Sequence, residues 1–170
     1  MTRRTHLLTG LSIGIAFAPE FPFCIAALIG STFPDNLDKI FSFGNKEKWK
    51  KMHRTWSHNV GYWLLLVLAI FQFYPFEFPF FWQRYLFLIG VFFGVGVISH
   101  IALDVLTPMG IPLCPLFSKQ RFSLRIARTG KFFDTFAGFF FLTMALAYRF
   151  ILTDFSLYKW FFEPMLRLHQ

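Results

Sequence analysis

One apolar run limits the choice of fold more than any other feature of this sequence. It extends over residues 81–106, carries His100 and Asp104 near its end, and is followed by a proline and a glycine. A helix of this length can cross a bilayer, which requires about 20 apolar residues. Residues four positions apart share one face of a helix. The two side chains are therefore interpreted as converging metal ligands, as an acid–base pair, or as a buried histidine with its hydrogen-bonded partner.

The composition of the whole chain is that of a membrane protein. Of its 170 residues, 55% are hydrophobic, 22% are aromatic and only 15% are charged, which leaves little polar surface for a water-soluble fold. We predict a single integral membrane domain over residues 1–170 with an all-α fold. The net charge of +8 is attributed to loops that face the anionic cytoplasmic leaflet. The lipid bilayer is thus the expected partner, and no nucleic acid is expected.

Five apolar segments and a terminal tail are expected to form a polytopic membrane helical bundle. Two short N-terminal helices, over residues 6–18 and 21–33, form either a hairpin of tilted helices or a re-entrant pair, because each is shorter than the hydrocarbon core. Three longer spans follow, over 58–74, 81–106 and 132–152. Gly90 and Gly94 would allow another helix to approach the second long span closely. The tail over 153–170 is expected to be an interfacial helix.

The basic residues are distributed unevenly between the two ends of the predicted spans. Thirteen of the 17 Lys and Arg lie at the N-terminus or in two loops, over residues 34–57 and 108–131. By the positive-inside rule these segments face the cytoplasm. The sequence therefore predicts a multi-pass protein of the inner membrane whose C-terminal tail lies on the outer side.

The ionisable residues gather at the cytoplasmic ends of the same spans. They include four of the five histidines, and the whole set consists of His6, Asp35, Asp38, His53, Arg54, His58, His100, Asp104 and Asp134. Such residues are costly at a membrane edge unless they are paired, ligated or hydrated, so their convergence indicates a polar site. Mixed imidazole and carboxylate ligands suit zinc, bound either as one ion or as a pair.

Each of these residues taken alone also has an ordinary structural explanation. Asp35 and Asp134 are suited to the first turn of a helix, where the helix dipole favours a carboxylate. His53 and His58 are five residues apart, so they converge only if a loop or the start of a helix lies between them. The metal-site interpretation therefore depends on the whole set and on its placement at one side of the membrane.

The order of these residues resembles the YdjM-like family of bacterial inner-membrane metal-dependent hydrolases. The resemblance covers about residues 1–134. Its motifs are His6-Leu7-Leu8, Pro34-Asp35 with a second Asp, His53-Arg54-x-x-Ser57-His58, Ser99-His100-x-x-x-Asp104-x-x-Thr107-Pro108-x-Gly110-x-Pro112-Leu113, and Gly130 with Asp134. The resemblance implies a helical membrane protein with a metal site at the cytoplasmic face, distantly similar to zinc-dependent phospholipase C.

The chain departs from the pattern of that family at three places. The second Asp of the Pro-Asp-x-Asp motif stands one residue later than usual, at Asp38. Ser57 and Asn59 stand where Thr and Ser are usual, and Asp134 stands where a Glu is expected. The last change shortens a side chain, so it requires a closer helix.

The hypothesis that follows from the resemblance gives each residue a role. One or two Zn²⁺, or another divalent ion, would be held by His6, Asp35, His53, His58, His100 and Asp104. Asp38 and Asp134 would orient a ligating histidine or act as general base, and Arg54 would neutralise phosphate charge in the transition state. The expected substrate-binding residues are Ser57, Thr107, Arg121 and Arg125.

Two classes of function follow from this set. The first is a membrane-embedded metal-dependent hydrolase that cleaves a phosphoester of a lipid or lipid-linked substrate at the cytoplasmic face, with an ester or a peptide substrate left open. The second is a non-catalytic metal-binding membrane protein, either a scaffold or an ion carrier. A carrier needs polar groups across the bilayer, and the outer halves of the spans hold almost none. A scaffold predicts a closed coordination site, whereas an enzyme needs an open position.

Overall fold

The computed structural model of the protein describes residues 1–72, 80–112 and 120–151, together with Ser156 and Trp160. Most of these residues are helical. The helices are α1 (Arg3–Phe17), α2 (Phe21–Gly30), α3 (Phe33–Ser42), α4 (Lys46–Met52), α5 (Val60–Gln72), α6 (Phe81–Val105) and α7 (Phe132–Ile151). A single turn of 3₁₀ helix, Trp56–His58, precedes α5. Two short strands, β1 (Ile111–Pro112) and β2 (Arg121–Phe122), pair antiparallel.

The predicted helical character is confirmed, and two of the helices are long and apolar enough to cross a membrane. These are α6, with 25 residues, and α7, with 20 residues. The described part of the first long span, α5, has 13 residues, and α2 has 10. The bundle of five spans therefore remains a prediction. The interfacial helix over 153–170 lies outside the described residues except for Ser156 and Trp160.

The stretch over residues 34–57, predicted as a loop, instead folds into α3, α4 and the 3₁₀ turn. Pro34 lies in the first turn of α3, where its missing N–H costs nothing, and it also ends the predicted second helix early. The side chain of Asn45 accepts hydrogen bonds from the backbone N–H groups of Glu47 and Lys48, both at 3.0 Å, and thereby caps α4. The pairing of β1 with β2 is a second departure from the all-α prediction.

The longer helices pack closely against one another. Helix α1 packs between α2 and α7, while α6 contacts both α2 and α5. A side chain on Gly96 would overlap the carbonyl oxygen of Ala27, and one on Gly30 would overlap that of Phe93. Glycine at these two positions therefore lets the backbones of α2 and α6 touch. Gly90 and Gly94 face α5, as the predicted close approach of another helix requires: an added Cβ would lie 3.3 Å from Ile70 and 2.7 Å from Val67.

Large apolar side chains cover the outside of α5, α6 and α7. On α5, Leu65 is 65% exposed. On α7, a row of exposed phenylalanines runs along one face at Phe132, Phe136 and Phe140. Apolar area of this extent is unusual on a soluble monomer. Most of the buried ionisable residues lie where the start of α1, the end of α6, α3 and the 3₁₀ turn meet. This junction contains the candidate site.

Candidate metal centre

All six predicted metal ligands lie at this junction. Helix α1 supplies His6, α3 supplies Asp35, and α6 supplies His100 and Asp104. The remaining two come from the chain between α4 and α5, which is bent so that both rings turn inward: they are His53 and His58. The six residues form two groups of three, and within each group the potential ligand atoms lie within 4.8 Å of one another.

The first group consists of His6, His100 and Asp104, and it is completely buried. The rings of His6 and His100 stack with their centroids 3.7 Å apart. Nε2 of His6 lies 3.4 Å from Oδ1 of Asp104, and Nε2 of His100 lies 3.6 Å from Oδ2. Among the described residues, neither ring nitrogen of His6 has a hydrogen-bond partner. The Oδ2 atom of Asp104 also has none. Buried polar atoms without partners are rare, so these atoms are candidates for binding a ligand.

The second group consists of Asp35, His53 and His58, and it is open on one side. Oδ1 of Asp35 lies 3.6 Å from Nε2 of His58 and 3.8 Å from Nδ1 of His53. Asp35 and His53 are 19% and 16% exposed, whereas His58 is buried. Nε2 of His58 lies 3.0 Å from Nε2 of His100, so the two groups are contiguous.

Backbone and hydroxyl partners fix two of the imidazole rings. Nδ1 of His100 lies 2.7 Å from the carbonyl oxygen of Ser31. A carbonyl can only accept, so Nδ1 of His100 carries a proton, and in the neutral ring Nε2 presents its lone pair to the cluster. The Oγ of Ser57 lies 2.8 Å from Nδ1 of His58, which likewise turns Nε2 inward. Such outer partners are characteristic of metal-ligating histidines.

Asp38 and Arg54 connect the two groups. Nδ1 of His53 donates to Oδ2 of Asp38 over 3.1 Å, and the backbone N–H of Arg54 donates to the same oxygen over 3.2 Å. The guanidinium of Arg54 donates to Asp104 Oδ1 at 2.7 Å and to Thr107 Oγ1 at 2.8 Å. Asp38 therefore orients His53, as one of the two predicted roles requires.

The pKa values of Asp35 and His58 shift in opposite directions. Burial raises the pKa of the Asp35 carboxyl, but the imidazole of His58, 3.6 Å away, and the charges of the other nearby imidazoles outweigh it, so the pKa lies below its usual range. Burial lowers the pKa of His58, but contacts with Asp104 and Asp35 outweigh it and raise that pKa. The two shifts have a shared cause, because each side chain favours the charged form of the other.

The donor set of the cluster fits a divalent cation. Three carboxylates, those of Asp35, Asp38 and Asp104, stand against the guanidinium of Arg54 and the amino group of Met1, which lies 2.5 Å from Asp104 Oδ1. With neutral imidazoles these charges leave a formal charge of −1, which a divalent cation would offset. The unpartnered atoms of His6 and Asp104 are imidazole nitrogen and carboxylate oxygen, both of which are zinc ligands.

The four predicted substrate-binding residues lie in different surroundings. Ser57 and Thr107 are buried, and their hydroxyl groups are engaged by His58 and Arg54, so they position the cluster and do not face a substrate. Arg121 is exposed and reaches the backbone carbonyls of Arg54 and Met109 at 3.5 Å. Arg125 is also exposed, and within the described part of the chain it forms none of the hydrogen bonds that join the cluster.

Asp134 belongs to neither group of potential ligands, and its observed hydrogen bonds do not support its predicted catalytic role. Its Oδ1 accepts a hydrogen bond from Thr5 Oγ1 at 2.5 Å, and its Oδ2 accepts from the backbone N–H groups of Thr2 and Gly130 at 3.0 and 2.8 Å. Because both oxygens are occupied by neutral donors, Asp134 joins the start of α7 to the start of α1.

A cleft of about 680 Å³ leads from the surface to the open group. Asp35, His53 and Arg54 line its inner end, and Lys39, Lys50 and Arg121 are among the residues nearer the surface. Trp49 also lines the cleft and stacks on His53 with ring centroids 4.3 Å apart.

The sequence analysis did not identify Trp49 or the Ser31 carbonyl as part of the site. A backbone acceptor leaves no signal in the sequence, whereas Trp49 stands one helical turn before His53 and could have been noticed.

The fold and the site define a class: a helical membrane protein with a cluster of histidines and aspartates at one end of the bundle. The family model described as YdjM inner membrane protein matches residues 1–161, and the chain belongs to this family. Its membership places the protein in a lipid bilayer. No curated protein and no solved structure matches the chain significantly.

Proposed function

We propose that the protein is a multi-pass, metal-dependent hydrolase of the bacterial inner membrane whose site faces the cytoplasm. Its substrate would be a phosphoester of a lipid or of a lipid-linked molecule. The observation that carries the proposal is the convergence of four imidazoles and three carboxylates at the inner end of a basic cleft. The placement of the basic segments supports the cytoplasmic orientation.

The residues divide into those that would hold metal and those that support them. Zinc, as one or two ions, would be bound by His6, His100 and Asp104 in the buried group and by Asp35, His53 and His58 in the open group. A divalent cation there would supply Lewis acidity and lower the pKa of a water that it binds. Asp38, Ser57 and the Ser31 carbonyl would keep the three rings in the required orientation.

Arg54 is the residue best placed to bind a phosphate group. Arg54 lines the cleft beside the open group, and its guanidinium is held by Asp104 and Thr107, so it would lose little conformational freedom on binding an anion. Lys39, Lys50 and Arg121 add positive charge nearer the surface of the cleft. Positive groups fixed around a transferring phosphoryl group stabilise its transition state.

One observation favours the non-catalytic alternative for part of the site. The group of His6, His100 and Asp104 is buried, so no substrate can reach a metal ion held there. Only the second group has the access that a substrate requires. A metal-binding scaffold without catalysis would therefore use the first group, whereas the hydrolase uses both.

The function is tested with the purified protein in detergent or nanodiscs and a panel of lipid phosphoesters. We expect hydrolysis that a chelator abolishes and that added zinc restores. Arg54→Lys keeps the charge but loses the fork of donors, so turnover should fall by about 100-fold. Arg128→Gln, at an exposed position outside the cleft, is the matched control and should leave turnover unchanged. Metal binding without turnover on any phosphoester would contradict the hydrolase proposal.

A further inference from the structure

The hairpin formed by α3 and α4 carries a surface that the metal cluster does not explain. Three of its apolar side chains point away from the protein: Ile40, Phe41 and Phe43 are 63%, 43% and 83% exposed. Five exposed lysines surround them, at Lys39, Lys46, Lys48, Lys50 and Lys51. An apolar patch with a basic rim is typical of a surface that binds a partner of negative charge.

At the tip of the hairpin, Phe43 adopts a backbone conformation that is unfavourable for a bulky residue. Phe43 ends α3 with a φ of 52°, in the left-handed region that bulky residues rarely adopt. Its side chain is largely exposed, and the ammonium group of Lys48 lies 4.8 Å from the ring centroid. A strained and exposed phenylalanine indicates a contact outside the chain.

The patch is continuous with the surface of a neighbouring apolar helix. The ring of Phe41 packs edge-on against that of Trp56, with centroids 5.1 Å apart, and Trp56 is itself exposed. Helix α5 begins four residues later and exposes Tyr62 and Leu65. Tryptophan and tyrosine are enriched where a membrane meets water, so Trp56 and Tyr62 mark the level of the headgroups.

We propose that the α3–α4 hairpin docks on the anionic cytoplasmic leaflet of the bilayer that holds the protein. Ile40, Phe41 and Phe43 enter the membrane interface, and the lysines contact lipid phosphates. The proposal does not depend on hydrolase activity.

Docking would also bring lipid headgroups to the mouth of the cleft. A pocket of about 520 Å³ lies between α3 and α4, and three of its lining residues, Lys39, Trp49 and Lys50, also line the cleft of the metal cluster. The docked hairpin thereby makes the cleft continuous with the headgroup layer. This arrangement would suit any anionic amphiphile that reaches the cleft sideways from the membrane.

The test places a fluorescent reporter on the hairpin of the full chain. Phe43→Cys, labelled with an environment-sensitive dye in a background of Cys24→Ala and Cys114→Ser, is reconstituted in phosphatidylcholine nanodiscs with and without phosphatidylglycerol. Nitroxide-labelled lipids serve as the quencher. The matched control is the label at Glu47→Cys, because Glu47 lies on the same hairpin and is 75% exposed.

We expect blue-shifted and strongly quenched fluorescence at position 43 when phosphatidylglycerol is present, and weak quenching at position 47. Replacing Lys46, Lys48 and Lys51 by Gln spares the cleft and should lower the ratio of immersed to aqueous label by about fivefold per lysine, because one basic side chain near an anionic surface contributes roughly 1 kcal/mol.

Two results would overturn the proposal. Equal, weak quenching at both positions in anionic nanodiscs would show that the hairpin does not enter the interface. Quenching that is the same with and without phosphatidylglycerol, and that the lysine changes leave unaltered, would remove the role of anionic lipid. Size-exclusion elution at the position of the unlabelled protein checks that each variant is folded.

Discussion

The two groups of potential ligands have the same residue types but very different surroundings. His6, His100 and Asp104 come from two packed helices, are closed to solvent and include atoms without hydrogen-bond partners. The other group comes from α3 and the chain around the 3₁₀ turn, and a cleft reaches it. Residue type therefore determines what a site can bind, whereas the supporting elements determine whether anything else can reach it. The first group is suited to holding metal, and the second is suited to chemistry.

The largest difference between the groups should appear in stability. Asp104→Asn keeps the shape of the side chain but removes the charge that pairs with Arg54, and breaking a buried pair costs about 3–5 kcal/mol. Asp35→Asn, the matched change in the open group, should cost clearly less, because Asp35 is partly exposed. Chemical denaturation in mild detergent measures both free energies of unfolding. Equal losses would contradict the distinction between a closed and an open group.

The second comparison concerns one histidine from each group. His100→Gln should lower both the metal content and the melting temperature, because it leaves a buried site incomplete. His53→Gln should weaken zinc binding at the open group by more than about 100-fold while the melting temperature changes little. Isothermal titration and thermal melts distinguish the two variants. If His53→Gln destabilised the protein as much as His100→Gln, the open group would be structural too.

The supporting residues should have smaller effects than the ligands. Ser57→Ala removes the hydroxyl at Nδ1 of His58, and Asp38→Asn weakens the bond that orients His53. Each is expected to reduce zinc affinity by roughly 10–100-fold without abolishing it. Asp134→Asn is the control, since that residue contacts α1 and not the cluster. A loss of affinity with Asp134→Asn alone would contradict this assignment.

The positions of the ligands could be predicted from the sequence better than the architecture around them. The spacing of His100 and Asp104, and the cost of unpaired ions at a membrane edge, selected a set of nine ionisable residues. The resemblance to the family then narrowed this set to six predicted ligands. The helices of the segment over 34–57 were missed because its lysines resemble a solvated loop. The apolar face of α3 and the Asn45 cap could have been noticed, since both are local signals.

Some roles required three-dimensional information that no sequence pattern carries. Ser57 and Thr107 stand inside motifs next to ligands, so the sequence cannot distinguish a hydroxyl that contacts substrate from one that orients a neighbour. Asp134 follows Gly130 at the start of a helix, and only the packing of α7 on α1 shows that its carboxylate is occupied by Thr2, Thr5 and Gly130.

The smallest expected effect is a pH dependence of opposite sign in the metal-free and metal-loaded protein. The folded-state pKa of His58 is raised above 6.5 by Asp104 and Asp35. Its charged form therefore stabilises the metal-free protein fully below pH 6.5, and this stability is lost as the pH rises through the raised pKa. Zinc competes with the proton, so metal binding strengthens over the same range. Melting temperatures with chelator and with zinc should move in opposite directions; parallel changes would contradict the prediction.

The central claim is that the cluster holds metal, and elemental analysis of the purified protein tests it most directly. Wild type is compared with the double variant His100→Ala and Asp104→Ala, each after chelation and reloading with zinc. The account predicts one or two zinc ions per chain in the wild type and a clearly lower zinc content in the variant, which keeps only the open group. A wild type that retains no divalent metal after reloading would contradict the account and leave His100 and Asp104 with a structural role.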